Sequence, residues 1–241
     1  MGNAGRKPLG VIFMLTFALI QSVLSGSSAQ AMGRGRVVAT VTPTPAPHTG
    51  VKTQPIEGAD SCTSSDPNHI CIGLKVVSYT KSGVPVLSKA DAVSVTRDMS
   101  TIWAQCNIGY QLESYEQVDP ATVGLNYDSN WQSDGDAIRA TFNDNASFLV
   151  VTVGKLSGPT IGVTQMPGTG IYGSLIEDSY AHNSMTVGHE LGHYQGLYHV
   201  SDAANLMYAY IGTHTSMLTA DQCATARATD LANWHTLFRK N

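Results

Sequence analysis

Four residues between His189 and His199, in the stretch HELGHYQGLYH, are of the types that hold a metal and move a proton. A helix over 184–195 puts His189 and His193, four apart, on one face, with Glu190 turned about 100° away beside them. A straight helix cannot bring His199 to the same place. Gly196 supplies the sharp turn, because glycine enters positive φ at little cost. Three neutral imidazoles leave one position of a tetrahedral zinc ion open to water, whose pKa zinc lowers to about 7. The expected ligands are therefore His189, His193 and His199, the expected cofactor is one catalytic Zn2+ ion, and Glu190 is the expected general base.

All five fixed positions of HExxHxxGxxH are present, and Met207 follows in the tetrapeptide NLMY. Together they resemble the metzincin clan of zinc endopeptidases with its methionine turn. The resemblance implies an α+β catalytic domain, with a twisted mixed sheet and helices, the zinc helix in a cleft, and a small, mostly irregular or helical C-terminal subdomain. It also implies a protein or peptide substrate. Met207 is then packing beneath the metal, since a thioether is a weak ligand beside three imidazoles. In some relatives a tyrosine two residues after the methionine binds zinc or the transition state; here that position is Ala209, between Tyr208 and Tyr210, so no fifth ligand is assigned. Val200 after the third histidine leaves the subfamily open. Asp202 and Asn205 are placed to shape the turn before Met207. His182, His214 and His235 fall outside the motif and read as surface or supporting residues.

The elements that must position these groups follow from pattern. CIGLKVVSY, from Cys71, reads as a strand. Ser88 and Asp91 start a helix whose stripe of Ala92, Val95, Met99, Ile102 and Trp103 is core, ending at Cys106 and Asn107. Tyr110 to Val118 alternates as a second strand, stopped by Asp119 and Pro120. From Asn126 to Asp136 the chain reads as a polar turn. Its Asp128, Asp134 and Asp136 keep a Ca2+ site open as an alternative, although the spacing is not that of an EF-hand loop. Ala146 to Lys155, around FLVVTV, is expected to be a buried central strand. A Gly- and Pro-rich loop runs over 158–170, and Ile171 to Glu177 is expected to be a short edge strand. The resemblance implies that such an edge pairs with extended substrate. A last helix opens on the T-x-x-Q box of Thr219 and Gln222, with Leu231, Trp234, Leu237 and Phe238 as its apolar face.

The ends and the cysteines speak to compartment. Arg6 and Lys7 precede an apolar run from Val11, and Ala29-Gln30-Ala31 offers a small-x-small cleavage site. The run is about half the length needed to span a bilayer. The expectation is a signal peptide over 1–31 cut after Ala31, a secreted or periplasmic product, and no stable membrane anchor. Residues 32–61, rich in Pro and Thr, are expected to be a linker or short propeptide, and 62–241 the catalytic domain of a monomer. Four cysteines in an exported chain suggest two disulfides, Cys62 with Cys71 and Cys106 with Cys223. The competing reading is a latency switch at Cys62 or Asp60, as the resemblance allows.

With a net charge of -4 and only 13% charged residues, the chain has no basic footprint, which excludes nucleic acid as a partner class. The expected function is an exported zinc endopeptidase acting on extended polypeptide. The alternative is a catalytically weak binding protein that uses the same cleft and edge strand without turnover.

Overall fold

The computed structural model describes residues 55–56, 62, 64–210 and 216–239. The expected signal peptide, most of the linker with Asp60, and His214 lie outside the described residues.

The sheet is built on two strands that read as apolar runs. β1 (Ile70–Lys81) pairs in parallel with both β3 (Ile108–Val118) and β4 (Phe148–Val153). Neither side of β1 is an edge, and every residue of β4 is buried, as a strand covered on both faces requires. β6 (Ser174–Glu177) pairs in parallel with β4, and β5 (Gly162–Thr164) runs antiparallel on β6. The order across the sheet is thus β3-β1-β4-β6-β5, and a two-residue strand, β2 (Val84–Pro85), folds back antiparallel on the end of β1. This mixed sheet with helices is the α+β architecture expected.

Two expectations are corrected here. The stretch ending at Glu177 forms a shorter strand, and it lies inside the sheet; the outer strand is β5, which sits within the Gly- and Pro-rich segment read as loop. Three residues are too few to show a period of two. The polar turn over 126–136 is also shorter than expected, because α2 (Trp131–Phe142) starts inside it. Asn130 caps that helix by accepting from Gln132 N–H, and Ile138 and Phe142, four apart, bury its inner face. The three carboxylates are consequently dispersed. Asp128 accepts from Lys155 N–H, Asp134 from Asn130 N–H, and Asp136 pairs with Arg139.

α1 (Lys89–Trp103) is capped by Ser88, whose hydroxyl oxygen accepts from Asp91 N–H, and it buries Ala92, Val95, Met99 and Trp103. That stripe packs on α3 (Ser184–Tyr194), and Trp103 Nε1–H donates to Gly188 O at 3.2 Å. At the other end of α3, Tyr194 stacks on Phe148 of β4 with ring centroids 4.4 Å apart. α4 (Ala220–Thr229) begins with the predicted capping box of Thr219 and Gln222. It then widens into a π turn over Asp230–Trp234. The wider turn breaks the 3.6-residue stripe, so Trp234 and Leu237 are buried while Leu231, expected on the same face, is 58% exposed. Trp234 Nε1–H donates to Tyr194 O, which closes the C-terminal segment over the end of α3.

Both expected disulfides are present, Cys62 with Cys71 and Cys106 with Cys223. A bonded Cys62 has no thiol to offer a metal, so it is not a latency switch in this form. Before Cys62, Ile56 N–H already donates to Leu112 O on β3 at 2.8 Å, so the end of the expected linker packs on the sheet.

Candidate metal centre

Asn183 starts the site-bearing helix. Its side chain accepts from the N–H groups of Met185 and Thr186, two of the donors a helix start leaves unpaired. α3 then carries His189 and His193 on one face, both buried, and ends at Tyr194. Gly196 turns the chain with φ of 77°, and Leu197 N–H closes the turn on Gly192 O. His199 returns to the two helical histidines. Ligand atoms of the three residues lie within 4.8 Å of one another.

The backbone fixes which nitrogen of each ring faces inward. His189 Nδ1 lies 2.7 Å from Leu206 O, and His193 Nδ1 lies 2.7 Å from Leu197 O. A carbonyl only accepts, so both Nδ1 atoms carry the proton and both Nε2 atoms present a lone pair. Burial, with mutual repulsion among the rings, lowers the pKa of His193 well below its usual value; burial lowers His189 to about 4 and also lowers His199. All three imidazoles are thus neutral at neutral pH. His189 Nε2 and His199 Nε2 stand 3.2 Å apart, and two nitrogens at zinc bond lengths on a tetrahedral ion would stand about 3.3 Å apart. The donor set fits a zinc ion in type and protonation, and the His189–His199 pair fits it in spacing.

The turn beneath the histidines is held as its sequence suggested. Asp202 accepts from Ala204 N–H, Asn205 Oδ1 accepts from Met207 N–H, and Val200 N–H donates to Met207 O. Leu206, whose carbonyl orients His189, belongs to this same turn. Met207 is fully buried, and its sulfur fills the space over Gly192, where a β-carbon would come within 2.4 Å. His182 instead pairs with Asp91 at 3.5 Å, and His235 is exposed, so neither joins the cluster.

Glu190 points to the outer strand. Its Oε2 accepts from the Thr164 hydroxyl at 2.6 Å, and its side chain lies so close to Gly162 that a β-carbon there would meet Oε1 at 2.5 Å. Burial pushes its pKa up to about 7, against the Thr164 hydrogen bond and the Arg139 guanidinium, which both favour the charged form. Arg139 itself is buried behind β5 and β6, its Nε–H donating to Gly173 O and Nη2–H to Val163 O. Neither Thr164 nor Arg139 stood out in the sequence. Their link to Glu190 depends on β5, and no local signal announced that strand.

Residues 116–228, which span β5, α3 and the methionine turn, match the family model described as Matrixin. Among solved structures the chain is similar to metalloproteinase-II from Bacteroides fragilis, with a TM-score of 0.48 and 16% sequence identity. That similarity covers 74% of this chain and 57% of the other, so this chain spans under two thirds of its length. Comparison with curated proteins gives no significant match.

Proposed function

Over the residues that carry its site the chain belongs to the metzincin clan of metalloproteases, and from that premise we propose that it is an exported zinc endopeptidase that hydrolyses peptide bonds in extended polypeptide. The single observation that supports this most is the convergence of three neutral imidazoles, two with their tautomers set by backbone carbonyls, next to a buried carboxylate.

His189, His193 and His199 would hold the zinc ion. When bound, the ion supplies Lewis acidity toward a water and the substrate carbonyl. Glu190 takes the proton of the attacking water and delivers it to the departing amine, the two tasks for which a carboxyl poised near neutrality is suited. The outer strand β5 is antiparallel to β6, and extended substrate can add its main chain alongside β5 without demanding particular side chains.

We assign residues 1–31 to a signal peptide, 32–61 to a linker or short propeptide, and 62–241 to a catalytic domain that acts as a monomer. Two disulfides support an oxidising compartment, and among the described residues no helix is long and apolar enough to cross a membrane.

The test is incubation of the protein, purified from the secreted or periplasmic fraction, with a denatured protein substrate. Cleavage is expected, with loss on zinc chelation and recovery on adding zinc back. Bound zinc without any cleavage would favour the binding alternative, and absence of zinc binding would remove the metal centre itself.

A further inference from the structure

The two oxygens of Glu190 have unlike surroundings, and the difference comes from one strand. Gly162 and Thr164 are two residues apart on β5, so both face the same side, and the Glu190 side chain lies along that side. Thr164 is in register with Ser174 on β6, and their hydroxyl oxygens are 2.8 Å apart. A threonine hydroxyl has a single proton. Since Glu190 as a carboxylate can only accept, Thr164 spends its proton on Oε2, and Ser174 must donate to Thr164. The three groups form a directed chain, Ser174 to Thr164 to Glu190, with all three residues buried.

We propose that Thr164 is a positioning residue for Glu190. By donating to Oε2 it fixes the plane of the carboxylate and assigns Oε1 as the oxygen that takes and returns a proton, while Gly162, having no β-carbon, leaves the room that Oε1 occupies. This rests on the hydrolytic reading for its catalytic consequence, but the contact itself does not. A proton on Oε2 would have to reverse the whole chain of donors, leaving the Ser174 hydroxyl proton to find a new acceptor in a buried strand pair. A proton on Oε1 disturbs nothing. Without the Thr164 hydroxyl the carboxylate is free to rotate, and Oε1 and Oε2 lose their separate roles.

The experiment compares Thr164→Val, which keeps the shape and removes the hydroxyl, with Thr164→Ser, which restores it. In the zinc-loaded full chain, Thr164→Val is expected to lower kcat by about 10- to 100-fold with KM within about twofold and zinc content unchanged, the scale on which proton transfer contributes. Thr164→Ser is expected within about threefold of wild type. A second measurement needs no turnover: melting of the metal-free protein in a cycle of Thr164→Val, Glu190→Leu and the double variant. Thr164→Val should lower the melting temperature by roughly 3–8 °C when Glu190 is present, and by far less in the Glu190→Leu background. Additive effects in that cycle overturn the contact, and kcat unchanged in Thr164→Val overturns its role in positioning. If the wild-type protein cleaves nothing while the cycle shows coupling, the positioning stands and the hydrolytic reading is what fails.

Discussion

Two buried polar clusters lie against the same helix, and only one of them faces a place where chemistry can occur. Toward the middle of α3, Glu190 is held by Thr164 and Ser174 and is next in the chain to His189, whose ring meets His193 and the partly exposed His199. At its end, Gln195 bridges Tyr110 and Asp230, its amide donating to the Tyr110 hydroxyl at 2.6 Å and to Asp230 Oδ2 at 3.2 Å. Both clusters contain a carboxyl whose pKa burial raises. In the second, Gln195 Oε1 and Asp230 Oδ1 have no hydrogen-bond partner among the described residues, and Tyr110, Gln195 and Asp230 are all buried. A raised carboxyl pKa is therefore not itself a mark of catalysis. What separates the clusters is the convergence of three imidazoles beside the first carboxyl, one of them partly exposed.

The largest effect expected from this contrast is at the first cluster. Glu190→Gln keeps the size of the side chain and the acceptor for Thr164 but cannot accept a proton from water. Turnover should fall by about 100-fold or more with zinc still bound, as read by initial rates and metal content on one preparation. Full activity in this variant would erase the distinction between the two clusters.

Gly196 joins the clusters, since it follows Gln195 and sends the chain back toward His199. Its φ of 77° is strained for any residue with a β-carbon, and an added β-carbon would also lie 2.9 Å from Thr229 Oγ1. Gly196→Ala is expected to cost about 1–2 kcal/mol of stability and to weaken zinc binding, because His199 is displaced while His189 and His193 are not. Melting curves of the metal-free protein isolate the strain, and zinc competition isolates the ligand. A variant that is destabilised but binds zinc as tightly as wild type would show that the turn does not set the position of His199.

The first cluster was legible in the sequence to the extent that it is local. His189, Glu190 and His193 need only a helix to meet, and one glycine explains His199. The turn of Asp202, Asn205 and Met207 is likewise made by residues bonding near neighbours. The caps of α1 and α4 and the apolar run of β4 carried their signals within a few residues. What was missed is what the sheet assembles. β5 has three residues, and its identity comes from pairing with β6, so Thr164 could not be linked to Glu190, 26 residues away in the chain. Asn130 as a cap was hidden because the aspartates around it suggested a loop. Leu231 was misplaced because the π turn that shifts it depends on Trp234 packing over Tyr194 and Phe148. The second cluster was not read at all: its members are Tyr110, Gln195 and Asp230, drawn from a strand, a helix end and the C-terminal segment.

That second cluster yields the smallest effect and a test with a definite sign. Burial holds the Asp230 carboxyl well above the usual carboxylate range, opposed by the Gln195 hydrogen bond and the Arg227 charge. The native protein keeps a proton there that the unfolded chain releases above about pH 3.9. The stability tied to this group is complete below that pH and is lost as pH rises through the native value. Asparagine does not ionise, and its side-chain oxygen can still accept from the Gln195 amide. Asp230→Asn should therefore melt above wild type at pH 8, by about 2–5 °C in the metal-free protein, and level with it near pH 3.5. Zinc binding and turnover should not change, because Asp230 touches neither the histidines nor Glu190. Loss of turnover with zinc retained would mean that the far end of α3 acts on the metal centre, and the two clusters would have to be treated as one.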